Sequence, residues 1–256
     1  MVWIFLATGI IIGSMLNFFI YRIPREIKLY RKLPTCGYCE RIKKWYEYIP
    51  ILGFFLNHRC PLCHKKKNIR ELLIPIVNAI MYVVFYFVYK DIIYFAIISS
   101  LLVSVLITVA VIDYDFYIIP DRMHIFILGL GIAASIFEFL DYGSGLDIDI
   151  IARVIGFFAG GLLLYLTGLL VSKKLNKEAL GGGDVKLMAV MGFFLGWKLI
   201  LLSIFFGSII AMIQMPFTKR RSEEGGIAFG PFLVIGIIIA LLVGNIIFNW
   251  YVGLFS

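Results

Sequence analysis

Two aspartates carry the chemistry that this sequence can support most directly. Asp113 lies in AVIDYDFYIIPD (110–121) and Asp184 in LGGGDVKLMAVMGFFLG (180–196), each at the polar end of a very apolar segment. A carboxylate at the boundary of a membrane helix is expensive and calls for a reason. Two carboxylates in contact cannot both ionise, so one keeps its proton. The charged member can then take a proton from water while the neutral one donates to a carbonyl oxygen, and water attacks a peptide bond without a covalent intermediate. The protons belong to the pair, so acid and base roles are not divided between the two residues.

Plainer readings stand beside this one. Asp184 can be a helix N-cap with its glycines forming the turn, and Asp121, after Pro120, can cap the next helix. Asp115 reads as a solvated loop carboxylate or a supporting group. Asp113 is harder to explain away, because it ends a long apolar run where the helix dipole opposes negative charge. Gly181, Gly182 and Gly183 carry no side chains, so an extended peptide can lie along their backbone beside Asp184. Lys186 follows within reach of the same turn. No strand precedes the glycines and no GK[ST] follows them, so a nucleotide loop is disfavoured.

A second constellation is made of thiols. All four cysteines fall in one hydrophilic loop, as Cys36-Gly-Tyr-Cys39 and Cys60-Pro-Leu-Cys63. The spacing favours a tetrathiolate structural zinc over redox-active or unligated thiols. With every position filled by Cys, no open coordination site remains for catalysis by that metal. His58 and His64 flank the second pair and read as solvated.

These groups must be positioned by a membrane fold. The chain is 61% hydrophobic and 16% charged over 256 residues, which excludes a soluble domain. Apolar runs at about 2–21, 72–89, 92–112, 123–140, 150–171, 185–197, 199–216 and 228–250 predict an all-α polytopic protein of about eight transmembrane helices. The first run lacks a basic leader and a small-residue cleavage site, so it reads as a retained helix. Of the 24 Lys and Arg, 21 fall on one side, in or beside 22–71, 113–122, 172–184 and 217–227. That side is expected to be cytoplasmic, with both termini outside. The net charge of +8 is then a topology signal rather than a nucleic-acid footprint. Asp113 and Asp184 end up on the cytoplasmic face, 71 residues apart in sequence, so only the helix bundle can join them.

The ordered set of motifs resembles the prepilin peptidases, or type IV leader peptidases, of the GxGD class of membrane aspartyl proteases. The resemblance covers nearly the whole chain: GIIIGSMLNFFIYRIP (9–24), the cysteine loop 36–63, DYDFYIIPD (113–121), GGGDVKLMAVMGFFLG (181–196) and IAFGPFL (227–233). It implies that Asp113 and Asp184 are the catalytic pair and that no metal serves the peptidase site. It also implies cleavage of a basic leader from type IV prepilin or pseudopilin precursors, after a glycine, at the cytoplasmic face of a bacterial inner membrane. The cysteine loop is typical of bifunctional members, which implies methylation of the new amino terminus with S-adenosylmethionine. One departure is visible: RELLIPIVN (70–78) puts Pro75 near the position of a usual glutamate and leaves Glu71 as the nearest carboxylate.

The expected organisation is therefore a first transmembrane helix at 1–21, a cytosolic zinc-ribbon-like loop at 22–71 with a putative methylation role, and a seven-helix peptidase core at 72–256. The expected partners are prepilin-like precursors and the lipid bilayer, with no nucleic acid. Rival readings are a GxGD protease cutting other membrane proteins, a transporter whose aspartates relay protons, and a non-enzymatic assembly platform.

Overall fold

The computed structural model describes residues 1–27, 39, 59–64, 66, 68–142, 146–175, 180–214 and 228–254. Seven helices account for most of these: α1 (Val2–Arg22), α2 (Arg70–Val88), α3 (Ile93–Phe116), α4 (Asp121–Tyr142), α5 (Leu146–Leu175), α6 (Gly182–Gln214) and α7 (Gly230–Gly253). Each contains a stretch long and apolar enough to cross a membrane. In lipid every backbone polar group needs an internal partner, and a helix supplies one within itself. Large apolar side chains such as Trp3, Ile125 and Leu170 lie exposed, while Asn78, Ser104, Asp113 and Asp184 lie buried. This inside-out distribution is that of a multi-pass membrane protein.

The chain forms two compact units, Met1–Thr108 and Val109–Ser256, which part within α3. In the first, α1 lies against α2 at its glycines. A Cβ on Gly13 would come within 2.6 Å of the Pro75 Cα, so only glycine allows this approach. Pro75 sits inside α2 and has no N–H to give the carbonyl of Glu71. Asn17 Nδ2 donates to that carbonyl instead, at 3.2 Å. The departure at position 75 is thus accommodated by a side chain of α1. Deeper in the unit, Asn78 donates to the Gly9 carbonyl at 2.9 Å and accepts from Ser104 Oγ at 2.8 Å.

In the second unit, α6 is a helix doubled back on itself. Gly196 has φ 75° and ψ 171°, a conformation open essentially to glycine alone. The reversal shows in the neighbours of α5: Gly160 faces both Met188 and Ile200, and Gly156 faces both Gly192 and Trp197. The runs expected as separate spans at 185–197 and 199–216 are therefore two antiparallel rods joined by one residue rather than by a loop. Arg153 of α5 closes this turn. Its guanidinium donates to the carbonyls of Phe194 at 2.9 Å and Phe193 at 3.4 Å, and to Glu138 Oε2 at 2.6 Å. The carbonyls that lose helical partners at the break are satisfied in this way.

Candidate active site

Asp113 occupies the last turn of α3 and is only 5% exposed. The end of its own helix is a poor place for a carboxylate, but the start of another helix compensates. Gly230, the first residue of α7, donates its N–H to Asp113 Oδ2 at 2.9 Å. That N–H belongs to the unpaired donors of a helix N-terminus, where the dipole favours an anion. A Cβ at position 230 would lie 2.7 Å from Oδ2, so glycine is required for the carboxyl to sit there. Just beyond, Tyr117 adopts a left-handed φ of 58° while its N–H still bonds the Asp113 carbonyl at 2.8 Å. This is a costly conformation for a bulky residue, and it turns the chain sharply into the 118–120 connection.

Asp184 is the third residue of α6 and 7% exposed. Its N–H bonds the Gly181 carbonyl at 3.1 Å, and its carboxyl accepts a main-chain hydrogen bond from Gly181 in return. This is one half of a capping box, with Asp184 at the N3 position rather than at the N-cap; the N-cap, Gly181, has no side chain to supply the other half. The cap and the chemistry are compatible, because only one carboxyl oxygen is used. Asp184 Oδ1 is buried without a protein hydrogen-bond partner among the described residues. The Asp113 and Asp184 carboxyls are close enough to interact electrostatically, so the fold brings together two groups that the sequence keeps far apart.

The other residues of the turn have separate places. Gly181 and Gly182 are exposed, and a Cβ at Gly182 would meet nothing within 4 Å. Gly183 packs on Ile119, 3.1 Å from where its Cβ would stand. Lys186 does not face the carboxyl pair; it donates to Asp121 Oδ1 at 2.7 Å. Asp121 is the first residue of α4 rather than its cap, and this ion pair is its contact. Asp115 is half-buried and two residues beyond Asp113, about 200° further round the helix, so it cannot share the direction of Asp113.

Two contributors were missed in the sequence. Gly230 lies in the IAFGPFL stretch, which pointed to the segment without revealing its contact. His124 is buried beside the glycine turn, with Nε2 3.1 Å from the Gly183 carbonyl oxygen. A histidine three residues after Asp121 at the mouth of an apolar span was the available signal.

The thiols behave as a metal site requires. Sγ atoms of Cys39, Cys60 and Cys63 all lie within 4.8 Å of one another, and Cys39 and Cys60 are 3.6 Å apart. That separation is too long for a disulfide and near the edge of a tetrahedron with metal–sulfur bonds of about 2.3 Å. An antiparallel bridge between Arg59 and Lys66 and a bond from His64 N–H to the Cys60 carbonyl close the second knuckle. Main-chain N–H groups of Cys63 and Leu62 hold the Cys60 thiol down at about 6, which favours the thiolate that ligates metal. Cys36, the fourth expected ligand, lies outside the described residues.

Comparison with known proteins agrees with this geometry. A model of the type IV leader peptidase family matches residues 100–215, and one of the bacterial peptidase A24 N-terminal domain matches residues 7–89. The chain is 30% identical over 253 residues to the "Prepilin leader peptidase/N-methyltransferase" of Bacillus subtilis (strain 168), spanning 95% of each chain.

The chain belongs to the type IV leader peptidase family.

Relatives of the same name include that of Legionella pneumophila, 29% identical over 272 residues, covering 94% of this chain and 91% of the relative. Another is that of Pseudomonas aeruginosa, 28% identical over 275 residues, covering 95% and 90%. No solved structure is matched. The leader peptidase match contains both aspartates, and the N-terminal match contains the four cysteines.

Proposed function

We propose that this protein is the endopeptidase that removes the basic leader of type IV prepilin-like precursors, with Asp113 and Asp184 as its catalytic pair. The observation that carries the reading is the carboxyl pair itself. Asp113 is anchored by the start of α7, Asp184 by Gly181, and Asp184 Oδ1 has no hydrogen-bond partner among the described residues. The pair shares one proton. Its ionised member activates water, its protonated member donates to the scissile carbonyl, and the roles reverse as the amine leaves. The exposed, side-chain-free backbone at Gly181 and Gly182 receives the extended segment around the cleaved bond. A precursor with a basic leader in the cytosol and an apolar helix in the bilayer presents that bond at the cytoplasmic interface, and the charge asymmetry of the loops supports the same side for this site.

The relatives' shared name supports a second step, methylation of the newly exposed amino terminus. S-adenosylmethionine is the methyl donor this step implies. The cysteine loop supports it too, with Cys36, Cys39, Cys60 and Cys63 holding a structural zinc that stiffens a segment too polar to fold on an apolar core of its own.

The test is cleavage of a type IV prepilin by purified protein in detergent, comparing wild type with Asp113→Asn and Asp184→Asn. Cleavage after the leader glycine by wild type alone supports the pair. Cutting by either variant at a near-normal rate removes it. Transfer of a labelled methyl group from S-adenosylmethionine to the cleaved product tests the second step.

A further inference from the structure

We infer that His124 is a positioning residue that holds the peptide between Gly183 and Asp184, and so the aim of the Asp184 carboxyl, through a hydrogen bond from Nε2 to the Gly183 carbonyl. The inference rests on the reading that Asp113 and Asp184 are the catalytic pair.

His124 stands in the first turn of α4 and is 6% exposed. A carbonyl oxygen can only accept, so the 3.1 Å contact with Gly183 requires the proton on Nε2. The opposite nitrogen, Nδ1, is 3.6 Å from Asp121 Oδ1, which is beyond hydrogen-bond range. Asp121 is itself 72% exposed and engaged by Lys186. The working contact of this imidazole is therefore the one to the glycine turn.

The location gives that contact its consequence. Gly181 and Gly182 are exposed, and three successive glycines have more backbone freedom than any other tripeptide. Gly181 anchors Asp184 from within the run, and a hold on Gly183 from outside the run restrains it further. The 118–120 connection and the first turn of α4 supply two holds on Gly183, Ile119 against its Cα and His124 on its carbonyl. Reacting groups misplaced by about 1 Å lose on the order of 100-fold in rate, so a hold on this peptide acts on kcat. His124 touches neither carboxyl in the structure, and its effect passes through Gly183.

The atoms of the alternatives separate this role from simple packing. In His124→Gln the amide nitrogen can occupy the place of Nε2 and donate to Gly183. In His124→Asn it falls at the place of Nδ1, and in His124→Leu there is no donor. The assay is cleavage of a prepilin with a basic leader by each purified variant, beside Asp113→Asn and Asp184→Asn, with thermal unfolding in detergent as the control for folding. The expected result is that Gln keeps kcat within about threefold of wild type. Asn and Leu lower it about tenfold or more with KM little changed, the scale of one lost hydrogen bond. Leu as active as Gln overturns the proposal and assigns His124 to packing, while leaving the aspartate pair intact. Rescue by Asn and not Gln overturns it in favour of the Asp121 side. Cleavage by the aspartate variants at a normal rate overturns the pair, and the inference with it, whatever the His124 series gives.

Discussion

The first rod of α6, residues 182–195, carries buried charge at both ends, and the two ends are built in opposite ways. At its far end a cation, Arg153, meets an anion, Glu138, and two backbone carbonyls, and its donors are met by several acceptors. At its near end Asp184 lies within electrostatic reach of another carboxyl, accepts one main-chain bond and keeps an oxygen without a partner among the described residues. Burial of charge is tolerated in the first case because every group is paired. In the second the like charges and the unmatched oxygen hold a proton in dispute. The lesson is that buried charge alone does not mark a catalytic site in a membrane protein. Charge that the surrounding structure leaves incompletely answered is the sharper sign.

That comparison can be broken from either end. The largest effect is expected from Asp113→Asn or Asp184→Asn, each lowering cleavage about 10³-fold or more, the scale of lost general acid–base catalysis, with unfolding temperature held or raised. Steady-state cleavage and thermal unfolding in detergent measure the two quantities; a loss of stability instead would make the aspartates structural like Arg153. Next is Gly230→Ala. Its Cβ would press on Oδ2 from 2.7 Å, displacing the Asp113 carboxyl and costing on the order of 100-fold in kcat. A normal rate in that variant would mean that the contact with α7 does not aim the group.

Arg153→Met should show the converse pattern. It strips two carbonyls and a partly exposed carboxylate of their donor and lowers stability by about 2 kcal/mol, read as a lower unfolding temperature, while kcat below that temperature changes only a few-fold.

The smallest effect on cleavage should come from Cys60→Ser, which removes one ligand at the metal knuckle. Zinc content should fall from about one per chain toward zero, as a tetrathiolate site requires, by metal analysis, with peptide cleavage largely kept. The same thiol predicts a pH dependence. Its value in the fold, about 6, lies below the ordinary 9.0, so the knuckle's stabilisation is complete above pH 9.0 and is gone once pH has fallen through 6. Metal held by these thiolates should be released to a chromophoric chelator as the pH is lowered and protons compete for the ligands.

Much of this molecule was legible in the order of its residues. Composition and apolar run lengths pointed to membrane helices, since long continuous apolar runs fit helices and not the short alternating strands of a closed barrel, the other structure that satisfies a backbone in lipid. The segments at 185–197 and 199–216 were visible as separate apolar runs, the first of them short, but the turn falls at Gly196, inside the first run, and only the structure shows it. The CxxC pairs marked a cluster that could hold a metal because ligand spacing is a local property, and Asp113 stood out because an acidic residue is rare at the end of such a run.

Other features depended on contacts between distant segments, which a linear pattern does not encode. Nothing near Asp113 specifies that its partner is the N–H of Gly230, since that bond exists only because α7 begins beside the last turn of α3. Lys186 is two residues from Asp184 in sequence, yet it turns to Asp121 because position 186 faces the start of α4. His124 acquires a role only where α4 meets the glycine turn. The sequence of this protein determined its membrane class, its helices, its paired cysteines and the identity of its two acidic residues, because each depends on composition or on neighbours along the chain. The pairing of those acids, their anchors and the oxygen left unanswered came from packing, where residues far apart in the chain meet and burial decides which polar groups go unmatched.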